Sequence, residues 1–266
     1  MNREKKDQQL HNTDAIAAKY YKKHNIASSS SIRKNRILKA IQPLLLKNKT
    51  LGHVVDVGCG IGSMAKYLDG EYESYLGIDY SDALINTAKN FNRDNNKAKF
   101  ISENIKTGQI PDNCADVILA LGVLHHMTEL DRIMMKLKKI AKPGAIFIAI
   151  EPIDVNPIVQ LLRWVRGKVD SSYSEEQHFF SSKELKELMT KNNLEDVSLE
   201  YVGLFTKPFT EVIFSPQLII KPLSKIFVAL DNAIQTFCPI ILRFLAWDII
   251  VRAKFPKMQK LGEIDE

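Results

Sequence analysis

The segment Val54-Val55-Asp56-Val57-Gly58-Cys59-Gly60-Ile61-Gly62-Ser63 joins an apolar run to an amphipathic one, and its residue types suit ligand binding. Glycines at a strand-to-helix junction let a ligand lie against bare backbone and face unpaired helix N–H groups. The acid two residues ahead of the first glycine favours a cationic ligand, because a carboxylate repels phosphate oxygens. The spacing is Gly-x-Gly-x-Gly; where the dinucleotide pattern has its third glycine, this chain has Ser63. A second acid, Asp79, closes the run Leu76-Gly77-Ile78-Asp79, 21 residues after Gly58. Open α/β sheets place an acid there to accept from two ribose hydroxyls; a helix N-cap ahead of Ser81-Asp82 is the other reading. His125-His126 and Glu151 each follow a further apolar run, where a proton acceptor would face a bound ligand, and His178 is a weaker candidate.

Holding these residues together requires a sheet whose strands end at one edge. Short apolar runs predict strands over His53–Val57, Ser74–Ile78, Ala98–Ser102, Asp116–Leu121 and Ala145–Ile150. Between them lie a polar helix around Asp82–Asn90 and a helix carrying Leu130, Ile133, Met134, Leu137 and Ile140 on one face. The second helix opens on a capping box from Thr128 to Asp131, and Lys142-Pro143-Gly144 turns the chain into the fifth strand. Strand and helix in alternation mean right-handed parallel units with helices on both faces, an α/β doubly wound sheet. A second capping box, Ser181 to Glu184, opens a helix with Leu185, Leu188 and Met189 inward, and Val197–Phe205 and Asp248–Lys254 read as further strands.

The run DVGCGIG, the pair GIDYS, the third strand, PDNCADVILALGVLHH and KPGAIFIAIEP together resemble the class I S-adenosylmethionine-dependent methyltransferases over residues 54–152, and the last two strands extend the likeness to about Lys254. The resemblance implies a mostly parallel seven-stranded Rossmann-like fold and S-adenosyl-L-methionine as cofactor. It implies that Gly58, Cys59 and Gly60 lie against the methionine part, that Asp56 helps fix its ammonium group, and that Asp79, followed by Tyr80, accepts from the ribose. Asn104, twelve residues before Asp116, stands where many relatives carry an aspartate that reads the adenine amino group. An amide oxygen can still accept that hydrogen bond. Ile105 would pack on the adenine face, and Leu121 and Gly122 would pass near the cofactor. Methyl transfer from a sulfonium needs chiefly alignment, and a base only where the acceptor carries a proton that must leave early. His125, His126 and Glu151 are the candidates for that base; packing against the cofactor, helix capping or structural hydrogen bonding are their alternatives.

Beyond Glu151 the rhythm breaks. Residues 152–180, with Asn156-Pro157 and an apolar helix from Ile158 to Val165, read as a lid or substrate-binding insertion. Residues 213–247 read as an amphipathic helical hairpin with stripes Leu223, Ile226, Phe227, Leu230, Ile234 and Phe237, Ile240, Ile241, Phe244, Leu245. These stripes could pack on the domain, pair in a homodimer, line an acceptor cleft or lie on a bilayer. Charged residues interrupt them too often for a spanning helix.

The chain carries 37 Lys and Arg against 31 Asp and Glu. Twelve of the basic residues and three of the acids fall in residues 1–50, so that stretch carries the whole positive excess. A basic helical extension over 1–49, the α/β domain over 50–256 and a polar tail over 257–266 follow. The three cysteines, Cys59, Cys114 and Cys238, lack metal-ligand spacing and rule out a disulfide scaffold, so no metal is expected. The polar start MNREKKDQQL suggests a cytoplasmic address, with peripheral membrane contact as an addition. The expected activity is methylation of a small-molecule acceptor, at oxygen or carbon, of the hydrophobic, quinone, prenyl or lipid-linked kind. An rRNA or tRNA methyltransferase, a catalytically silent cofactor-binding subunit and a nicotinamide dehydrogenase are the alternatives. Nucleic acid is disfavoured, since no Asn/Asp-Pro-Pro-aromatic loop or Pro-Cys nucleophile is present.

Overall fold

Short apolar runs, each closed by a glycine or an acid, become the strands of one sheet. The computed structural model describes residues 9, 11–161, 164 and 178–257. The strands are β1 (His53–Val57), β2 (Ser74–Asp79), β3 (Ala98–Ser102), β4 (Ala115–Leu121), β5 (Ala141–Pro152), β6 (Glu195–Val202) and β7 (Asp248–Lys254). Their order across the sheet is β3-β2-β1-β4-β5-β7-β6, with the first five parallel and β7 antiparallel to both its neighbours. The doubly wound α/β class expected from the sequence is the one observed.

The helices are α1 (Asp14–Asn25), α2 (Ala27–Leu45), α3 (Ser63–Tyr67), α4 (Asp82–Phe91), α5 (Leu130–Ile140), α6 (Ser182–Lys191), α7 (Lys207–Glu211), α8 (Gln217–Phe237) and α9 (Pro239–Leu245). One apolar cluster joins Val55, Val57, Ile118, Phe147 and Val251 to α5 and α6; a second, on the other face, joins Val54, Tyr75, Leu119 and Ile148 to α2 and α3. Alternate strand residues thus feed opposite faces, as a pleated sheet covered on both sides requires.

Three local expectations differ from the structure. Lys142-Pro143-Gly144 does not precede β5 but lies inside it, at a register shift where Ala115 pairs with Ala141 and Val117 with Ile146. A proline without an N–H and a glycine at φ +81° are the residues such a bulge accommodates. The capping box of α5 does not form: Glu129 stands at the N-cap with φ 57° and makes no side-chain cap. Lys106 Nζ donates to Thr128 Oγ1 and Glu129 Oε2, turning both side chains away from the helix end. β6 stops at Val202 rather than Phe205, because the N–H groups of Leu204, Phe205 and Thr206 donate to the Asp231 carboxylate.

The helical hairpin read over 213–247 forms as α8 and α9. The stripe Leu223, Ile226, Leu230 faces outward, at 37%, 58% and 43% exposure, with only Phe227 and Ile234 half-buried. The inward face of α8 mixes polar residues with Phe227, which packs on Phe205 and Phe209, and Ile234. Ser224 and Asp231 are buried, and Gln235 hydrogen-bonds Lys39 of α2 and Glu200 of β6. Asp231 collects three backbone donors and the Thr206 hydroxyl, more than an apolar residue at that position could satisfy.

The first helices belong to the same body. Ile37, Ala40 and Ile41 of α2 are buried beside Leu51, Val54 and Leu68. Arg36 pairs with Asp248, Arg33 donates to the Thr210 carbonyl, and Lys23 lies 3.3 Å from Glu211. Three of the twelve basic side chains of residues 1–50 are thus paired with acids within the fold. Of the expected helix Ile158–Val165, residues 157–161 are helical; Val165 and most of the 152–180 insertion lie outside the described residues, as does most of the polar tail.

Candidate active site

The carboxyl ends of β1, β2 and β4 meet at the glycine loop. The N–H groups of Gly58 and Cys59 both donate to the Ile78 carbonyl, which pins the loop to the end of β2. Gly58, at φ +70°, passes so close to β4 that a Cβ there would stand 2.2 Å from Val123 Cγ2. Gly60, at φ +53°, and Gly122, at the end of β4, have nothing within 4 Å of where a Cβ would be. Bare backbone on β1 and on β4 therefore borders open space.

Asp56 and Asp79 flank this loop. In the β1–β2 register Asp56 pairs with Gly77, whose missing side chain leaves room for the Phe100 ring and the Cys59 thiol. The Tyr75 hydroxyl donates to Asp56 Oδ2, while Asp56 Oδ1 is buried without a hydrogen-bond partner. Burial, opposed by the Tyr75 hydrogen bond and reinforced by Asp79, pushes the Asp56 carboxyl up to about 7. Asp79 Oδ2 accepts from Gly60 N at 2.9 Å and Oδ1 from Ser81 N at 3.0 Å. Burial raises its pKa as well, against those backbone donors. The capping role weighed for Asp79 falls instead to Ser81, whose hydroxyl accepts from Leu84 N. Cys59 is buried against Gly77 and its thiol is pushed up by burial, so it is a packing residue rather than a nucleophile.

At the end of β4 the chain makes a single 3₁₀ turn, Leu124–His126. Glu151, fully buried on β5, organises it: Oε1 accepts from the N–H groups of Val123 and Leu124, both at 2.9 Å, and Oε2 lies 2.7 Å from His125 Nδ1. A carboxylate so engaged fixes the imidazole with its proton on Nδ1 and Nε2 as the basic nitrogen. Glu151 thus holds both the backbone of the turn and the ring of His125. His125 stacks on Phe179 at 6.0 Å, and His126, 4.0 Å from His125, meets the ring of His11 at 5.5 Å. His178 is turned away, 3.2 Å from Glu184.

Asn104 accepts from Lys106 N through its side-chain oxygen, closing an Asx turn that leaves one lone pair for a ligand. Ile105 is buried behind it. Tyr80 is half-buried, its carbonyl accepting from Ser102 Oγ, and Leu121 ends β4 opposite Ile150. Asn156 is a helix cap, accepting from Ile158 N and Val159 N and donating to the Leu245 carbonyl.

A family profile described as a methyltransferase domain matches residues 30–199. The chain belongs to that methyltransferase family. Among curated relatives, the ubiquinone biosynthesis O-methyltransferase of Rickettsia bellii (strain OSU 85-389) is 28% identical over 148 residues, 53% of this chain and 61% of that protein. The sterol 24-C-methyltransferase erg6 of Aspergillus fumigatus is 28% identical over 101 residues, 35% of this chain and 26% of that one. The chain thus spans less than two thirds of the length of these relatives. Among solved structures, a phosphoethanolamine N-methyltransferase 2 of Haemonchus contortus in complex with S-adenosyl-L-methionine aligns with TM-score 0.65 and 16% identity over 97% of this chain and 60% of that one, which shows a shared fold.

The residues of this methyltransferase domain fit S-adenosylmethionine. Asp56 Oδ1 is a buried acceptor lacking a donor, which an ammonium group or a water held by it satisfies. Gly60 and Gly122 leave the space a methionine chain needs, and Asp79 keeps lone pairs for ribose hydroxyls. Among the described residues no group of His, Cys, Asp and Glu is arranged to hold a metal ion. A groove of about 500 Å³ lined by Leu44, Asp116 and Lys142 lies at the other, amino end of the strands. In open α/β sheets ligands bind at the carboxyl end. Sequence reasoning missed Tyr75 and His11. Tyr75 was legible in principle, being two residues before the glycine that faces Asp56; His11 approaches through the tertiary fold alone.

Proposed function

We propose that the chain transfers the methyl group of S-adenosylmethionine to an oxygen, or an acidic carbon, of a small apolar acceptor of the quinone, prenyl or lipid-linked kind. The observation that carries this reading is the hydrogen bond from His125 Nδ1 to Glu151 Oε2 at the edge of the glycine cradle. When bound, the cofactor would supply a methyl group already activated on a positive sulfur. Asp56 and Asp79 hold the nucleoside and its amino-acid tail; the glycine loop sets their depth. His125 would take the proton that the acceptor must lose, with Glu151 beside its Nδ1 to stabilise the charged ring. Val123, Leu121 and the ring of Phe179 give the acceptor an apolar wall. Relatives named for ubiquinone biosynthesis and for sterol 24-C-methylation lean the same way.

The test is methyl-labelled turnover on a cell extract, sorted into lipid, small-molecule, RNA and protein fractions. Label in the apolar organic fraction, lost in His125→Ala, is the expected result. Label in RNA would overturn the acceptor class. Binding of NAD in place of S-adenosylhomocysteine would overturn the cofactor. The RNA reading rested on the basic first fifth, of which Lys23, Arg33, Arg36 and Lys39 are engaged within the fold.

A further inference from the structure

Helix α8 meets the domain through Ser224, Asp231 and Gln235 together with Phe227 and Ile234, and turns most of its other apolar residues outward. Leu218, Ile219, Ile226 and Phe237 are 88%, 61%, 58% and 80% exposed, and Ile240 and Phe244 of α9 are 55% and 64% exposed. In water such a helix is inside out, and a patch of this size on a chain's surface marks something it docks against. No single helix among the described residues is long and apolar enough to cross a membrane, and α8 and α9 meet at a bend of 113°.

Charge selects the occupant. Between Val212 and Trp247 the exposed charges are Lys221, Lys225 and Arg243, all basic. The single acid of that stretch, Asp231, is buried and holds the backbone of residues 204–206. The acids that bound the stretch are matched as well. Glu211, though burial works against it, is held well below the usual carboxylate range by Lys207, Lys23 and Arg33, and Asp248 lies between Arg36 and Lys207. An apolar stretch whose own exposed charges are all cations is the complement of an anionic bilayer interface. A second copy would set the same three cations against each other with no exposed acid of this stretch to meet them. Asn156 ties the end of α9 to a short helical segment whose Ile158, Leu161 and Trp164 are 61%, 59% and 60% exposed, a second apolar group beside the first.

We propose that α8 and α9 lie in the surface of an anionic lipid bilayer, apolar face down, and hold the enzyme there as a monotopic protein. The proposal rests on packing and charge, and on no part of the methyl-transfer reading.

The test is flotation of the full chain with vesicles of phosphatidylcholine alone and of phosphatidylcholine with phosphatidylglycerol. Binding to the mixed vesicles, weakening as salt rises, is expected. Ile226→Glu combined with Phe244→Glu should lower that binding at least about tenfold, with S-adenosylhomocysteine affinity unchanged. Lys221→Gln, Lys225→Gln and Arg243→Gln together keep the apolar face and should abolish the preference for anionic over neutral vesicles. Absence of wild-type binding, or binding indifferent to both variants, would overturn the proposal. So would a wild-type dimer that the Glu pair converts to monomer without any vesicle binding, which would assign the face to a second copy.

Discussion

The Tyr75 hydroxyl donates to one oxygen of Asp56 and leaves the other buried with no donor. Burial, against that hydrogen bond, raises the carboxyl to about 7, so that about half of it is protonated at neutrality until something cationic arrives. With a folded pKa of about 7 against an unfolded value of 3.8, the native state binds the extra proton between those limits. The ligand-free protein is therefore expected to lose stability as pH rises from about 4 to 7, by a few kcal/mol. Asp56→Asn should flatten that slope and raise the melting temperature at pH 8. Calorimetry at pH 6.5 in buffers of different ionisation enthalpy should find proton release on S-adenosylhomocysteine binding, diminished in the variant. Equal release by both proteins would remove Asp56 from the site.

Asp79→Ala is expected to cost at least about a hundredfold in cofactor affinity, since charge-assisted hydrogen bonds to the ribose and the donor from Gly60 are lost together. Titration with S-adenosylhomocysteine checks it. Affinity within twofold of wild type would show that the ribose is held elsewhere.

Two glycines separate folding from binding. Gly58→Ala drives a methyl group into Val123 at φ +70° and should destabilise the fold by about 2–4 kcal/mol. Gly60→Ala meets no atom within 4 Å and should cost only about 1–2 kcal/mol of backbone strain. Its effect should fall on cofactor affinity, by about tenfold or more. Melting curves alongside titrations separate the two, and equal melting temperatures would contradict the packing of Gly58.

Glu151→Gln replaces one accepting oxygen by an amide that cannot accept. A cost of about 1–3 kcal/mol in stability follows from the stranded donors, together with a fall in kcat as His125 loses its orientation. His125→Ala should lower kcat by about 10²–10⁴-fold with little change in KM. His126→Ala should change kcat much less. Reversal of that order would move the proton acceptor to His126.

Much of this fold is written locally. β1 and β3 fall on the residues expected, because a short apolar run closed by polar or glycine residues has few other homes in an alternating α/β chain. The capping box at Ser181 and Glu184 forms as read, whereas the one at Thr128 yields to Lys106, a residue 22 positions earlier that no local pattern connects to it. The glycine loop and its two acids were legible because strand, turn and helix carry them in a fixed order. The orientation of α8 was not. Periodicity identifies a stripe but not the side that has a partner, and the decisive residue, Asp231, draws its donors from residues 204–206 in a distant turn. The role of Glu151 was half legible: its place at a strand tip was clear, and the backbone donors it serves became visible only with β4 beside it.

Helix α2 is stitched to β7 and α8: Arg36 meets Asp248, Lys39 meets Gln235, and Arg252 donates to the Ala40 carbonyl. During synthesis the early helices therefore leave the ribosome long before their counterparts exist, with charges and apolar flank alike unmatched. Each of these contacts closes a loop of about two hundred residues, so the entropy of closure weighs on the joining of α2 to β7 and α8.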